Sequence, residues 1–277
     1  HEKYAEHMQR HRLKREIIAT AVTNSTINRM GATFMMRMQE DTGHGPASIA
    51  KAYTAAREIL DARELWAEIE ALDGKVAENT QIDAILQIWS LLRHLTRWLL
   101  NRPGGTLDIA ANVDRYASEV SVLRKALPDA LTDTGRGDFA ASQEKWEGLG
   151  VPDTLAVRLA RVSVLRAALD MVEVSKQSGK DIATVARVFY ELAEALDLEW
   201  LRGQIEALNV EGAWHAQARG SLLDELNAQH RALALQVISV AGDRTDVSPV
   251  QAWLQRDDAT LKYTRAMLAE ILTQNAD

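Results

Sequence analysis

Apolar residues recur every three or four positions along most of the chain, which is the spacing of one face of an α-helix. Clear examples are the run from Ile82 to Leu99 and the run from Leu155 to Val172. Short segments rich in glycine, proline and aspartate separate such runs, as in DTGHGP (41–46) and GLGVPD (148–153). No segment alternates with period two for long enough to predict a sheet. The pattern predicts an all-α fold, a multi-helix bundle of about ten to twelve helices.

The segment Leu13–Met38 is predicted as one long helix with an unusual face. Its apolar positions share that face, but threonine and asparagine side chains interrupt it, and these residues compete with a helix for backbone hydrogen bonds. Such a mixed face is typical of a helix that lies against something able to pair with its polar groups. We expect seven residues to form an interface: Ile17, Thr20, Asn24, Ile27, Asn28, Met30 and Phe34.

The sequence also contains an internal repeat. The IEAL motif of Ile69–Leu72 recurs 136 positions later (205 − 69) as Ile205–Leu208, and the same displacement relates His94 to His230. Because several matches keep their order, the pattern favours a duplication over chance agreement in a sequence rich in leucine and alanine. The predicted division has four parts: a first helical unit at 1–100, connecting helices at 101–148, a similar second unit at 149–242, and a helical tail at 243–277.

Composition narrows the classes of function and partner. The net charge of −7 argues against a nucleic-acid-binding protein, since such proteins neutralise phosphates with basic side chains. The absence of cysteine fits a cytoplasmic protein, and no apolar stretch reaches the roughly 20 residues of a membrane-spanning helix. We therefore expect a cytoplasmic location, with neither nucleic acid nor membrane as a partner. The charged start at His1, without an initiator methionine, suggests a piece of a longer polypeptide.

Few residues point to chemistry. The glycine clusters at 103–105 and 135–137 lack the spacing of a dinucleotide-binding turn, and no nucleophile–base pattern is present. His7 and His11 have a spacing that suits a metal, but no carboxylate completes the set, and exposed histidines are the simpler interpretation. We expect no catalytic, cofactor or metal site in this chain.

Four basic side chains could bind an anion. The alternative is a solvated helix face for the arginines and a structural place at helix contacts for the histidines. The four candidates are Arg93, His94, Arg97 and His230.

Several stretches resemble the C-terminal region of the large bacterial NAD-specific glutamate dehydrogenases. The resemblance begins with LKREIIATAVTNSTINRMGATFMMRMQEDTG (13–43) and continues with SIAKAYTAAREILDARELWAEIEALD (48–73) and RHLTRWLLNR (93–102). Later stretches match in the same order: LDIAANVDRYASEV (107–120), GVPDTLAVRLA (150–160), LDMVEVSKQSG (169–179) and ARVFYELAEALDLEWLRGQIEAL (186–208). The similarity covers essentially the whole chain and is looser over 243–277.

The resemblance implies that the catalytic core lies in another part of a long polypeptide. That polypeptide would oxidise L-glutamate to 2-oxoglutarate and ammonia with NAD as its cofactor, and none of the family's catalytic or NAD-binding residues falls in this chain. We expect the chain to dock on the catalytic core of the same polypeptide and to support a homo-oligomer. The alternative is a regulatory role, in which a small anionic effector binds between the two helical units.

Overall fold

The computed structural model describes residues 4–102, 107–241 and 248–255, and over these ranges the chain forms fourteen α-helices and no β-strand. Twelve of the helices have seven residues or more, so the predicted all-α class is confirmed. Six helices come before residue 102: α1 Ala5–Gln9, α2 Lys14–Met30, α3 Phe34–Thr42, α4 Pro46–Ile59, α5 Ala62–Glu70 and α6 Glu78–Asn101.

Eight more helices follow within the described ranges. In chain order they are α7 Ile109–Ala130, α8 Asp133–Gly148, α9 Asp153–Val164, α10 Ala168–Ser178, α11 Ile182–Ala195, α12 Leu198–Ala207, α13 Ala213–Ala241 and α14 Pro249–Leu254. None of the helices described has both the length and the apolar character needed to cross a lipid bilayer.

The chain divides into two compact units, one through Arg115 and the other from Tyr116 onward, so α7 contributes residues to both. The four-part division predicted from the sequence stays a prediction. Of its tail at 243–277, residues 248–255 are described and contain α14, while the rest lies outside the described residues.

The core of the first unit forms where α4 packs along α6. Helix α4 is buried over most of its length, and Ile49 and Tyr53 of α4 are completely buried, as are Leu92 and Leu95 of α6. The Phe34 ring of α3 meets the Tyr53 ring edge-on, with 6.1 Å between centroids. Each large apolar side chain buried in this way contributes about 1.5–3 kcal/mol, so this contact holds α3, α4 and α6 together.

The second unit has a corresponding core, in which α10 and α11 both contact α13. Phe189 of α11 and Val172 of α10 are buried there. Two polar pairs accompany the apolar contacts: Tyr116 donates a hydrogen bond to Glu173, and the Arg231 guanidinium lies 2.5 Å from the almost fully buried Asp170 carboxylate. A buried carboxylate requires such partners, since leaving it unpaired would cost several kcal/mol, about 3–5.

Helix boundaries and backbone conformations recur between the units at the displacement of 136 residues. Helices α4 and α11 each have 14 residues and begin and end 136 positions apart. Gly43 and Gly179, which end α3 and α10, have φ values of 71° and 69°. Asp61 and Asp197, which precede α5 and α12, have φ values of 48° and 49°. Non-glycine residues rarely adopt positive φ, so this agreement supports the predicted duplication.

The single helix predicted over Leu13–Met38 is wrong, because the structure interrupts it at Gly31. Helix α2 ends at Met30, and Gly31 adopts φ 87° and ψ 158°, a region that essentially only glycine occupies. The chain resumes a helical path at Phe34. The break changes the direction of the chain between α2 and α3. Phe34 and Met38 of α3 are buried, whereas a continuous helix would have placed them further along the axis of α2.

The backbone at Gly31 gives a stability prediction. We expect Gly31→Ala to lower the free energy of unfolding by about 1–3 kcal/mol, because a Cβ strains this φ although nothing lies within 4 Å of it. The matched control is Gly203→Ala, in the interior of α12 with equally open space, which should stabilise by about 0.5–1 kcal/mol. Urea denaturation followed by circular dichroism measures both. Equal effects of the two substitutions would contradict the assigned role of Gly31.

Candidate functional site

The N-terminal half of α2 is exposed over almost its whole surface. From Arg15 to Asn24 every residue is exposed except Val22, which is half-buried. Ile17 is 55% exposed, and its neighbour Ile18 is exposed to a similar degree. Single exposed apolar residues are normal, but a half-helix with several of them is typical of a surface that contacts another protein segment.

The C-terminal half of α2, in contrast, is fixed to the unit by polar contacts. The Trp89 indole N–H donates to the Met30 carbonyl oxygen at 2.8 Å, and Arg57 donates to the Ser25 hydroxyl at 2.5 Å. Arg29 forms a salt bridge with Glu70, and its guanidinium lies 5.5 Å above the Trp66 ring. These contacts hold one end of α2, so its exposed half occupies a defined position relative to the first unit.

The seven residues predicted to form an interface fall into two groups. Met30 and Phe34 are only 3% and 2% exposed, because they belong to the core of the first unit, and this contradicts a side-chain contact between them and a partner. The other five are exposed and accessible to a partner: Ile17, Thr20, Asn24, Ile27 and Asn28. Their contact with a partner stays a prediction.

The structure places Arg93 and Arg97 around Asp41 of the chain itself. Arg93 donates to the Asp41 carboxylate at 2.8 Å, and Arg97 donates to the Asp41 carbonyl oxygen at 3.1 Å. Asp41 lies in the last turn of α3, where cations also meet the negative end of the helix dipole. His94 is half-buried on the same helix as the two arginines. Binding of an anion from solution by these three residues stays a prediction.

The second unit contains a cavity of about 430 Å³, which His230 lines. Buried apolar side chains, among them Met171 and Phe189, line one part of it. Exposed acidic residues line another part: Asp138, Glu194, Asp197 and Glu199. The N-terminal turn of α8 adds Thr132, whose hydroxyl accepts from the Gly135 N–H at 3.0 Å. The volume is within the range of about 300–1,000 Å³ typical of small-molecule sites.

Arg202 is a buried cation in the lining of this cavity. It is 8% exposed, and one of its terminal nitrogens donates to the Asn227 amide oxygen at 2.9 Å. Its Nε is buried and has no hydrogen-bond partner among the described residues, since the nearest Glu199 oxygen lies 3.6 Å away. Burial lowers the pKa of the guanidinium, but an arginine remains protonated at neutral pH. The cavity therefore has a positive charge in its buried part.

His230 is uncharged at neutral pH in this position. Burial lowers its pKa to about 4, the hydrogen bond to Phe189 offsets only part of that shift, and the positive charge of Arg202 adds to it. Its Nε2–H donates to the Phe189 carbonyl oxygen at 3.1 Å, and the two rings lie 4.5 Å apart. A neutral imidazole cannot contribute charge to anion binding. The buried cation in the lining is Arg202, which the sequence reasoning missed.

A signal for Arg202 was present in the internal repeat. The position 136 residues earlier is Trp66, which is buried in the first unit, so the second copy has a cation where the first has an indole. Within the described ranges, no three His, Asp or Glu side chains are placed to hold a metal ion together.

Comparison with known proteins identifies relatives over the full length of the chain. A family model described as "Glutamate dehydrogenase, C-terminal" matches residues 1–277. Two proteins named NAD-specific glutamate dehydrogenase match 98% of the chain, that of Halomonas elongata at 33% identity and that of Pseudomonas aeruginosa at 34%. A third of the same name, from Mycobacterium tuberculosis, is 28% identical over 86% of the chain. The chain spans only 17%, 17% and 15% of the length of these proteins.

The lowered pKa of His230 predicts a pH-dependent stability. The unfolded histidine titrates at 6.5 and the folded one at about 4, so the unfolded state binds more protons between these values. Stability should therefore fall as pH decreases from about 6.5 to about 4, by up to about 3 kcal/mol from this residue.

Urea denaturation at pH 7 and pH 5 measures this effect. In His230→Gln the loss of stability between the two pH values should be smaller than in the unmodified chain by at least about 1 kcal/mol. The control is His215→Gln, an exposed histidine on the same helix, which should leave the difference unchanged. An unchanged pH dependence in His230→Gln would contradict the assignment of His230 as a buried neutral group.

Proposed function

Since the chain belongs to the family of glutamate dehydrogenase C-terminal regions, we propose that it is the helical C-terminal region of an NAD-specific glutamate dehydrogenase and that it docks on the rest of that polypeptide through α2. In this proposal the whole polypeptide converts L-glutamate, NAD⁺ and water to 2-oxoglutarate, ammonia and NADH in the cytoplasm. The catalytic and NAD-binding residues lie in its other parts, and this chain contributes none of them.

The exposed N-terminal half of α2 is the observation that carries the docking role. Leu13, which precedes the helix, and Ile17, Thr20, Asn24 and Ile27 are spaced alternately four and three residues apart. Side chains at this spacing form a continuous stripe along one side of a helix, as they do where two helices pack together. All five are exposed. The stripe therefore offers a surface of the kind that another helix or groove covers.

The composition of this stripe indicates what its partner surface should be. Burial of an isoleucine side chain contributes about 1.5–3 kcal/mol, so Ile17 and Ile27 supply most of the stabilisation. Thr20 and Asn24 lie between them, and burial of their polar groups is unfavourable by about 1–3 kcal/mol each unless the partner pairs with them. We expect an apolar partner surface that also presents hydrogen-bonding groups opposite these two residues.

The partner in this proposal is covalently attached. In the Halomonas elongata and Pseudomonas aeruginosa relatives the matched region is 17% of the protein, so most of such a polypeptide lies outside it. Attachment through the chain raises the effective concentration of one surface near the other to the millimolar range. A modest apolar stripe is then sufficient for docking, and docking of the stripe on a neighbouring copy would link the subunits of a homo-oligomer.

Limited trypsin digestion of the full-length polypeptide tests the docking. Lys14 and Arg15 are trypsin sites at the exposed end of α2, and docking should protect them. We expect Ile17→Asp to raise the rate of cleavage at these two residues about tenfold or more. The substitution removes about 1.5–3 kcal/mol of stabilisation from isoleucine burial and places a charge in the contact, so the docked state becomes less populated.

The matched control is Leu86→Asp, which changes an equally exposed leucine on α6. It should leave the cleavage rate at Lys14 and Arg15 unchanged. If these sites are cleaved as fast in the unmodified polypeptide as in Ile17→Asp, α2 is not docked, and the proposal is wrong.

A further inference from the structure

We propose that the cavity of the second unit is a binding site for a small carboxylate, with the Arg202 guanidinium as its anchor. This site is separate from the docking surface on α2, and the proposal does not depend on the proposed function. It rests on three observations: a buried cation with incomplete hydrogen bonding, a repeat in which the corresponding residue is an indole, and the distribution of charge in the cavity lining.

The hydrogen bonding of Arg202 is incomplete. A guanidinium has five N–H donors, and the described residues provide Arg202 with one hydrogen bond, to Asn227. Among these residues, its Nε has no hydrogen bond and is held only by a long ion pair of 3.6 Å with the exposed Glu199 carboxylate, and Arg202 lines a cavity large enough for a small molecule. A carboxylate can accept two parallel hydrogen bonds from one edge of a guanidinium, in the geometry that favours arginine at carboxylate sites. A carboxylate that takes the place of Glu199 at the guanidinium would therefore supply the short hydrogen bonds that Glu199 does not make.

In the first unit, the position that corresponds to Arg202 is occupied by a tryptophan. Trp66 is 136 positions before Arg202 and is buried there beneath Arg29, which pairs with Glu70. The second unit retains a similar ion pair, in which Arg166 lies 2.7 Å from Glu206.

The two ion pairs occupy nearly corresponding positions. The two glutamates are 136 positions apart (206 − 70), and the two arginines are 137 apart (166 − 29). Both units thus have the arginine–glutamate ion pair, whereas the indole of the first unit is replaced by a guanidinium in the second. This exchange places a buried charge beside a cavity, a change that packing alone does not require.

The rest of the lining selects among carboxylates. Met171 and Phe189 give the body of a ligand an apolar surface. The four exposed acidic residues in the lining outnumber its two arginines, of which Arg166 is paired with Glu206 and Arg202 lies 3.6 Å from Glu199. Molecules with several negative charges, such as nucleotides, are therefore disfavoured. A single carboxylate fits best, and an ammonium group at the other end of the same molecule should strengthen binding through the acidic residues.

Calorimetric titration of the 277-residue chain tests the site with two probes, butyrate and 4-aminobutyrate, which differ only in the ammonium group. We expect binding with one molecule per chain, tighter for 4-aminobutyrate. Arg202→Leu should weaken binding at least tenfold, because it removes the anchor. Arg187→Leu, an exposed arginine on α11 of the same unit, is the control and should leave binding unchanged.

A second variant keeps the test decisive if Arg202→Leu folds poorly. Ala193→Phe retains the arginine but places a ring in the cavity, which Ala193 lines from the half-buried side of α11, and it should also weaken binding at least tenfold. Absence of binding by both probes, or binding that survives both substitutions, would overturn the proposal. Equal or weaker binding of 4-aminobutyrate compared with butyrate would overturn the role given to the acidic residues.

Discussion

The packing of α4 along α6 is the contact on which the rest of the first unit depends. Helix α4 is buried on most sides, so α2, α3 and α5 can pack on it, and each of them contacts it. It has 14 residues and is therefore about 21 Å long, whereas α2 has 17 and is about 26 Å long. Contacts to Ser25 from Tyr53 and Arg57 of α4 hold the C-terminal half of α2. The N-terminal half is exposed and carries the apolar stripe.

The second unit repeats this plan with a different chemical outcome. Helix α11 has the length of α4, the same backbone conformations occur at its flanking turns, and α13 takes the place of α6. The position of Trp66 is taken by Arg202, and a cavity lies beside it. One helical arrangement thus supports two surfaces: an exposed stripe on α2 in the first unit and a charged cavity in the second.

The periodicity of apolar residues was sufficient to predict the fold class, because an amphipathic helix is recognisable from the spacing of apolar residues within its own segment. It also identified Ile17 and Asn24 as interface candidates, and both are exposed. It failed at Gly31, since an apolar pattern can continue across a break that depends on one backbone conformation. It failed for Arg202 for another reason. Whether a cation is buried depends on which helices surround it, and residues distant in sequence, such as Asn227, determine that.

The measurement that tests the central claim most directly is sedimentation velocity on the full-length polypeptide with and without residues 1–277. Because the chain is proposed to dock and to support assembly, while the chemistry resides elsewhere, removal should reduce the assembled mass toward that of a single subunit. The truncated polypeptide should still reduce NAD⁺ with glutamate, at a lower rate. An unchanged number of subunits in the assembly after truncation would contradict the account.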